Sequence, residues 1–495
     1  MSYYLGIDIG TFEAKGVLVD RAGAIVATAA RPHRMLVPRP GWAEHRAEED
    51  WWQGFVHLSR TLITESGVDP AAIRAVACSA IGPCMLPVDA AGRPLTNGVL
   101  YGVDTRSVVE IDELTAAIGE STLVERCGNA LTAQSVGPKI SWLKCQLPDV
   151  YAQTAKVLTS TSYLVLKLTG EAVVDHYTAA SFGPLYLLDR LDWSGELAPE
   201  IIAPEKLARC RWSTEIAGTV TPEAAAETGL RTGTPVTVGT IDAAAEALSV
   251  GVDGVGDMML MYGSTIFSIL LTAERVKDAR LWYAPWLFAG EHASMAGLAT
   301  SGTLTHWFRD QFARELGDDA FAVLAAEAEA SPKGANGLLA LPYFSGERTP
   351  IHDPRAKGCW FGLNLTHTRA DLFRAVLEGI AYGTNHVVET FAEAGATPAR
   401  VLAVGGGTKN RVWSQATSDV SGLPQALCRT TMGASYGDAF MAALAVGDVR
   451  REDIRSWNPV QDRIEPEAVP AYDRQYPIFK DLYLRTKDLM AALDG

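Results

Sequence analysis

Short apolar runs alternate with longer amphipathic stretches along the chain, a pattern that predicts strands and helices mixed in sequence rather than segregated. Near the start, residues 3–9 and 16–20 are apolar runs on either side of a Gly-Thr turn, and residues 24–29 follow as a third strand. Residues 73–79 and 156–160 read as further strands, and residues 48–66 and 133–146 as helices. Residues 215–240 form loop and strand, ending in a strand at 235–240, and a new helix opens over 241–249. The pattern then restarts. Residues 257–262 and 267–272 again flank a small-residue turn, so LGIDIGTFEAKGVLV and MMLMYGSTIFSILLT share one logic of strand, hydroxyl-bearing turn and strand. Strand-turn pairs are common, and a chance likeness of two hairpins is the competing account. The spacing predicts α/β architecture in two related halves, 1–250 and 251–495, divided at the glycines of residues 250–256, with a ligand cleft between them.

The chain has 495 residues, too many for one ordinary core, which also argues for two domains. Hydrophobic residues make up 48% and charged residues 20%, a composition that leaves no room for an extensive disordered region. The net charge of −15 disfavours binding to nucleic acid or to acidic membranes. The start MSYYLGIDIG carries no basic segment of a secretion signal, and no apolar run reaches a membrane span. Seven scattered cysteines without a C-x-x-C predict reduced thiols in a cytoplasmic protein. The nine histidines lack metal-ligand spacing, and P-loop, Ser-elbow and G-x-G-x-x-G signatures are absent.

Three turns could hold phosphate. Asp8-Ile9-Gly10-Thr11 ends a hydrophobic strand: Gly10 lets backbone N–H groups face an anion, Thr11 adds a hydroxyl, and Lys15 lies across the turn. Asp8 is placed to coordinate Mg2+, usually through water, since Mg2+ takes one or two carboxylates plus phosphate oxygens. Gly263-Ser264-Thr265 is the second such turn, and Gly405-Gly406-Gly407-Thr408-Lys409-Asn410 the third, opening a helix at 411–421. Each turn has a plainer reading, as a hairpin corner or a site of close helix packing. Asp242 lies where the 235–240 strand gives way to a helix. A carboxylate there either caps the helix or points into the crevice at the strand ends, where it can serve as general base.

These segments, in this order, resemble the FGGY family of carbohydrate kinases, members of the actin-like ATPase superfamily, nearly end to end. GIDIGTFEAKGVLVD is similar to the family's first phosphate motif, YGVDTR (101–106) to its sugar-side Asp-x-Arg segment, and YGST to the second phosphate motif. TGTPVTVGTIDAAAEALSVG holds the position of the catalytic aspartate, and AGLATSGTLTHWFRD resembles the adenine-side helix entry. The most specific stretch is GERTPIHDPRAKGCWFGLNLTHTRADLFRAVLEGIAYG (346–383), and GGGTKNRVWSQATSDVSGLP resembles the adenosine motif.

The resemblance implies two actin-like, ribonuclease H-like α/β domains around a catalytic cleft. It implies ATP and Mg2+ as cofactors, a small sugar as substrate and a homodimer. By the same resemblance Asp242 is the base, and Asp8 organises Mg2+. Gly10, Thr11, Lys15, Gly263, Ser264 and Thr265 meet the β- and γ-phosphates, while Gly302, His306, Gly406, Gly407 and Asn410 border ADP. Asp104, with Arg106 as orienter, holds sugar hydroxyls, with an ion pair as the competing account. Trp42 and Glu44 line the sugar pocket, with a core role the alternative for Trp42.

The chain departs from the family in three places. Glu13 stands where a small residue is usual, and Gly102 where an aromatic often packs on the sugar. Residues 79–84, Ser-Ala-Ile-Gly-Pro-Cys, replace the Gly-Gln-Met-His-Gly of xylulose kinases, altering a pocket wall. The expected activity is phosphorylation of a ketose or polyol, a D-xylulose-like pentulose being nearest. The alternatives are a nucleotide-driven conformational ATPase and a sugar sensor without turnover.

Overall fold

The computed structural model describes residues 2–493. Its first sheet is built from β1 (Tyr3–Ile9), β2 (Glu13–Asp20), β3 (Ile25–Pro32), β4 (Ile73–Ala80), β5 (Ile216–Thr219), β6 (Pro235–Thr237) and β7 (Thr240–Ile241), in the order β5-β6-β4-β1-β2-β3 with β7 also on β4. β1 is antiparallel to β2 and parallel to β4, and its nearly unbroken apolar run is covered on both faces. The second sheet contains β8 (Asp257–Tyr262), β9 (Ile266–Thr272), β10 (Trp282–Pro285), β11 (His292–Leu298), β12 (Arg400–Val404), β13 (Gln425–Cys428) and β14 (Val460–Ile464), in the order β10-β11-β9-β8-β12-β13-β14.

Six strands of each sheet follow one scheme. From β3 through β2, β1, β4 and β6 to β5, the pairings are antiparallel twice, parallel twice, then antiparallel. From β11 through β9, β8, β12 and β13 to β14 the sequence of pairings is the same. The repeat read from two hairpins therefore extends across whole sheets, with β10 added at one edge.

Three elements differ from the expected spans for local reasons. The strand expected at 235–240 is broken at Gly239 (φ +75°), where a Cβ would sit 2.2 Å from the Cys78 carbonyl. The strand expected at 156–160 stops at Leu158, because Thr159 caps the helix Ser160–Thr169 by accepting from Ser162 N–H at 3.1 Å. The helix expected at 48–66 is a π-helical turn, Ala47–Trp52, followed by α1 (Gln53–Ser66).

The division at 250–256 falls in the loop between α2 (Asp242–Ser249) and β8, yet the halves are not independent packages. The helices α3 (Gly302–Phe312), α4 (Arg369–Glu393) and α5 (Arg411–Ser421) pack on the second sheet or its neighbours, but α6 (Ala434–Ala445) lies on β1 and β4 beside α2. Gly6 and Gly437 permit this: a Cβ would lie 2.0 Å from Ser435 O at Gly6 and 1.9 Å from Ala245 O at Gly437. Paired crossing helices thus join the two sheets. The seven cysteines are free, and among the described residues no helix is long and apolar enough to cross a membrane.

Candidate active site

The repeated topology sets each glycine turn directly after a strand, Gly10 after β1, Gly263 after β8 and Gly405 after β12. The β1–β2 turn is closed by Gly10 N–H donating to Glu13 O at 3.0 Å and is braced by His33, whose Nε2 meets Gly10 O at 2.9 Å. The Thr11 hydroxyl lies 3.3 Å from the Tyr101 hydroxyl. Register sets Lys15 opposite Asp8, and Lys15 Nζ pairs with Glu13 Oε2 at 3.3 Å. Glu13, the first departure from the family, therefore offsets a charge beside the turn instead of facing the turn uncompensated.

The second and third turns are neighbours, because β8 and β12 pair in parallel with Met261 opposite Val404. The Gly263 and Ser264 carbonyls accept from Gly302 N–H and Thr303 N–H, each at 3.1 Å, tying the start of α3 to the β8–β9 turn. Gly302 has no alternative here, since a Cβ would come within 2.4 Å of Gly263 O. The triple glycine divides in purpose. Side chains at Gly405 or Gly407 would strike Tyr262 O at 2.6 Å or Trp413 at 2.5 Å, whereas Gly406 faces open space. Asn410 caps α5, its Oδ1 accepting from Trp413 N–H at 3.2 Å. His306 is exposed on α3, edge-on to Phe321 at 4.9 Å.

Asp242 opens α2 directly after β7, whose Thr240 lies opposite Ser79 on β4, as Asp8 on β1 also does. Ile241, not Asp242, is the N-cap residue, and among the described residues the Asp242 carboxylate accepts only from the adjacent Ala243 N–H, at 2.8 Å. The same aspartate lines a cavity of about 330 Å3 between the halves. Burial pushes its carboxyl up to about 7. Asp8 is raised well above the usual carboxylate range, first by burial and then by the charges of Asp242 and Asp438. Ser79 Oγ reaches Asp8 Oδ1 at 3.1 Å and Asp438 Oδ2 at 2.7 Å.

Crowded, partly desolvated carboxylates favour a cation among them. Among the described residues no three His, Cys, Asp or Glu side chains form a ligand cluster. One carboxylate plus water and phosphate oxygens is the donor set Mg2+ accepts, and Asp8 suits it.

The cavity receives Ile81, Gly82 and Pro83 from the altered segment, Tyr101, Leu131 and Gln134 from the first half, and Thr265, Phe267, Trp282 and Arg348 from the second. Gln134 fills the space of the missing aromatic: a Cβ at Gly102 would lie 2.8 Å from its amide, and Gly102 N–H donates to Gln134 Oε1 at 3.1 Å. Lys139 is fully buried and donates to the carbonyls of Leu100 (2.7 Å), Tyr101 (3.1 Å) and Ala133 (2.7 Å), fixing two wall segments together. Burial pulls its ammonium down to about 8.

Asp104, Arg106, Trp42 and Glu44 come together, but behind this wall rather than among the lining residues. Arg106 donates to Asp104 through Nε and Nη2 (2.9 and 2.8 Å) and to Glu44 Oε1 (2.8 Å), with its guanidinium 4.0 Å from the Trp42 ring centroid. Asp104 also accepts from Ala43 N–H at 2.7 Å, and Glu44 from Asn97 at 2.9 Å. In this structure these four residues frame the loop that carries Tyr101. The family resemblance of YGVDTR directed attention to Asp104 and Arg106 and left Tyr101, its first residue, without a role. Sequence reasoning also quoted the stretch containing Arg348 without assigning that residue a role.

Two repeated sheets around a cavity with an aspartate in its wall are the actin-like architecture of a two-domain phosphotransferase, as the family comparison bears out. The profile described as the FGGY family of carbohydrate kinases, N-terminal domain, matches residues 3–249, and that of the C-terminal domain matches residues 258–446. The chain belongs to the FGGY family and is a carbohydrate kinase. It is 28% identical to the xylulose kinase of Bacillus subtilis (strain 168), over 100% of this chain and 99% of that protein. It is 31% identical to glycerol kinase 2 of Streptomyces avermitilis, over 90% and 89%. The crystal structure of xylulose kinase from Rhodospirillum rubrum superposes with a TM-score of 0.91 at 33% identity, covering 99% of each chain.

Proposed function

We propose that the protein transfers the γ-phosphoryl group of ATP to a hydroxyl of a ketose or polyol, a D-xylulose-like pentulose being the nearest candidate. The carrying observation is the Asp242 carboxylate, which lines the cavity with one short hydrogen bond to its own helix and with its proton affinity raised by burial. Ionised, it takes the proton of the attacking hydroxyl. The first half (1–250) holds the sugar and the first phosphate turn, and the second half (251–495) holds the nucleotide. Thr11, Lys15, Ser264 and Thr265 meet the phosphates; Gly302, Gly406, Gly407, His306 and Asn410 border ADP. Asp8 would hold Mg2+, which when bound would supply charge neutralisation at the phosphates. Asp104, Arg106, Trp42 and Glu44 act on the sugar through the Tyr101 loop they brace.

Transfer needs alignment and exclusion of water, and a cleft between two joined halves supplies both. The test is ADP release with MgATP across ketoses, alditols and sugar acids, with Asp242→Asn beside the parent. An Asp242-dependent response to one sugar class is expected. Turnover with no acceptor in the panel overturns the substrate assignment, and full turnover in Asp242→Asn overturns the base.

A further inference from the structure

Arg348 lies in the stretch of closest family likeness and has no part in the chemistry above. Its backbone is anchored. Glu347 is 5% exposed, and its Oε1 accepts from Ala299 N–H at 2.6 Å and from Arg348 N–H at 2.7 Å. Thr349 N–H donates to Gly297 O of β11 at 3.2 Å. From this fixed strap the Arg348 side chain lines the cavity, where it is the one cationic side chain among the lining residues. Its guanidinium makes no hydrogen bond or ion pair with the described residues. Asp242 and Glu246 line the same cavity, and Lys15 on β2 is engaged by Glu13.

A guanidinium held against apolar walls with five free donors is suited to a planar or tetrahedral oxyanion. Its surroundings point to which one. Tyr101 lines the same cavity as Arg348 and Asp242, and its phenol oxygen lies 3.3 Å from the Thr11 hydroxyl on the first phosphate turn. Thr265, from the second phosphate turn, lines the cavity as well. Arg348 thus shares one cavity with the base, with Thr265 of the second phosphate turn and with Tyr101, which touches the first.

We propose that Arg348 is a catalytic residue that binds the γ-phosphoryl oxygens as they pass from ATP to the acceptor, an inference that rests on the kinase reading. In that step the acceptor hydroxyl oxygen forms a bond to Pγ, and the bond from Pγ to the β,γ-bridging oxygen breaks. Its electron pair stays on ADP, and the hydroxyl proton passes to Asp242. Arg348 moves neither electrons nor protons. It stabilises the charge on the three equatorial oxygens, the role for which a fixed arginine is most effective in such transfers. Because Arg348 comes from the second half and Tyr101 and Asp242 from the first, the site is complete only when the two walls face each other across the cavity.

The experiment compares Arg348→Ala, Arg348→Lys and, as an exposed control in the same segment, Arg355→Ala. Four quantities are read: ATP hydrolysis without sugar, the dissociation constant of MgADP, binding of MgADP with aluminium fluoride, a planar mimic of the phosphoryl group in flight, and affinity for sugar acids. Arg348→Ala is expected to lower hydrolysis about a hundredfold or more and to abolish the aluminium fluoride enhancement. MgADP affinity should stay within about twofold, with partial recovery in Arg348→Lys and no change in Arg355→Ala. The inference is overturned if Arg348→Ala keeps the aluminium fluoride complex. It is equally overturned if the variant loses only its affinity for acidic sugars, which would make Arg348 a ligand of a substrate carboxylate. Neither hydrolysis nor the mimic requires a sugar, so a flat sugar panel would sink the proposed substrate without deciding the fate of Arg348.

Discussion

Two charged clusters stand within one wall of each other and are built on opposite terms. In the Asp104–Arg106–Glu44 cluster every charge is answered: the guanidinium has two carboxylates and an indole face, and both carboxylates accept backbone or amide donors as well. In the cleft, Asp242 has one hydrogen bond and Arg348 has no side-chain partner among the described residues. Burial of an unanswered charge raises the energy of the apo protein, so such groups persist where a ligand completes them. A saturated cluster stabilises a conformation. Residue type does not tell them apart, since each set holds acids and an arginine; their degree of saturation separates frame from chemistry.

The comparison breaks most visibly if the wrong cluster carries the reaction. Asp242→Asn should lower sugar-dependent turnover by about a thousandfold, within the range of a lost general base, as read by coupled ADP release. Arg106→Leu should instead lower stability by about 3 kcal/mol, because it strands two buried carboxylates. Denaturant titration checks this, with turnover per folded molecule changing far less than in Asp242→Asn. The pH profile sharpens the contrast. With the Asp242 carboxyl at about 7, kcat/KM should fall tenfold per unit below about pH 7, a limb absent from the residual activity of Asp242→Asn. The smallest effect is expected at the exposed Glu13–Lys15 pair: Glu13→Ala should shift stability by less than about 0.5 kcal/mol, while KM for ATP falls slightly as Lys15 is released.

Stability should follow the same carboxyl with a definite sign. An unfolded aspartate releases its proton near 4, whereas Asp242 in the fold keeps it to about 7. Between these values the folded state binds more protons, so this contribution to stability falls as pH rises through the window and is lowest above pH 7.

Much of this architecture was legible in the sequence because it rests on local signals. The hairpins at β1–β2 and β8–β9 announce themselves through apolar runs around hydroxyl-glycine turns, and the internal repeat follows from them. What sequence reasoning missed depends on distant contacts. Nothing near Tyr101 says that Lys139 fastens its carbonyl, or that Gln134 occupies the space above Gly102. Asp104 and Arg106 drew attention through their likeness to the family's sugar-side segment, yet whether a charge faces a ligand or a neighbour is decided by residues some sixty positions away, such as Glu44. The break at Gly239 depends on the Cys78 carbonyl of another strand.

The most direct test is to measure turnover and thermal midpoint together at pH 8 for the parent and for Asp242→Asn. Loss of about three orders of magnitude in sugar-dependent turnover, with an equal or higher midpoint because a destabilising buried charge has been removed, is the predicted result. Retained turnover with a lowered midpoint would show that Asp242 supports the fold and that the phosphoryl acceptor is activated elsewhere.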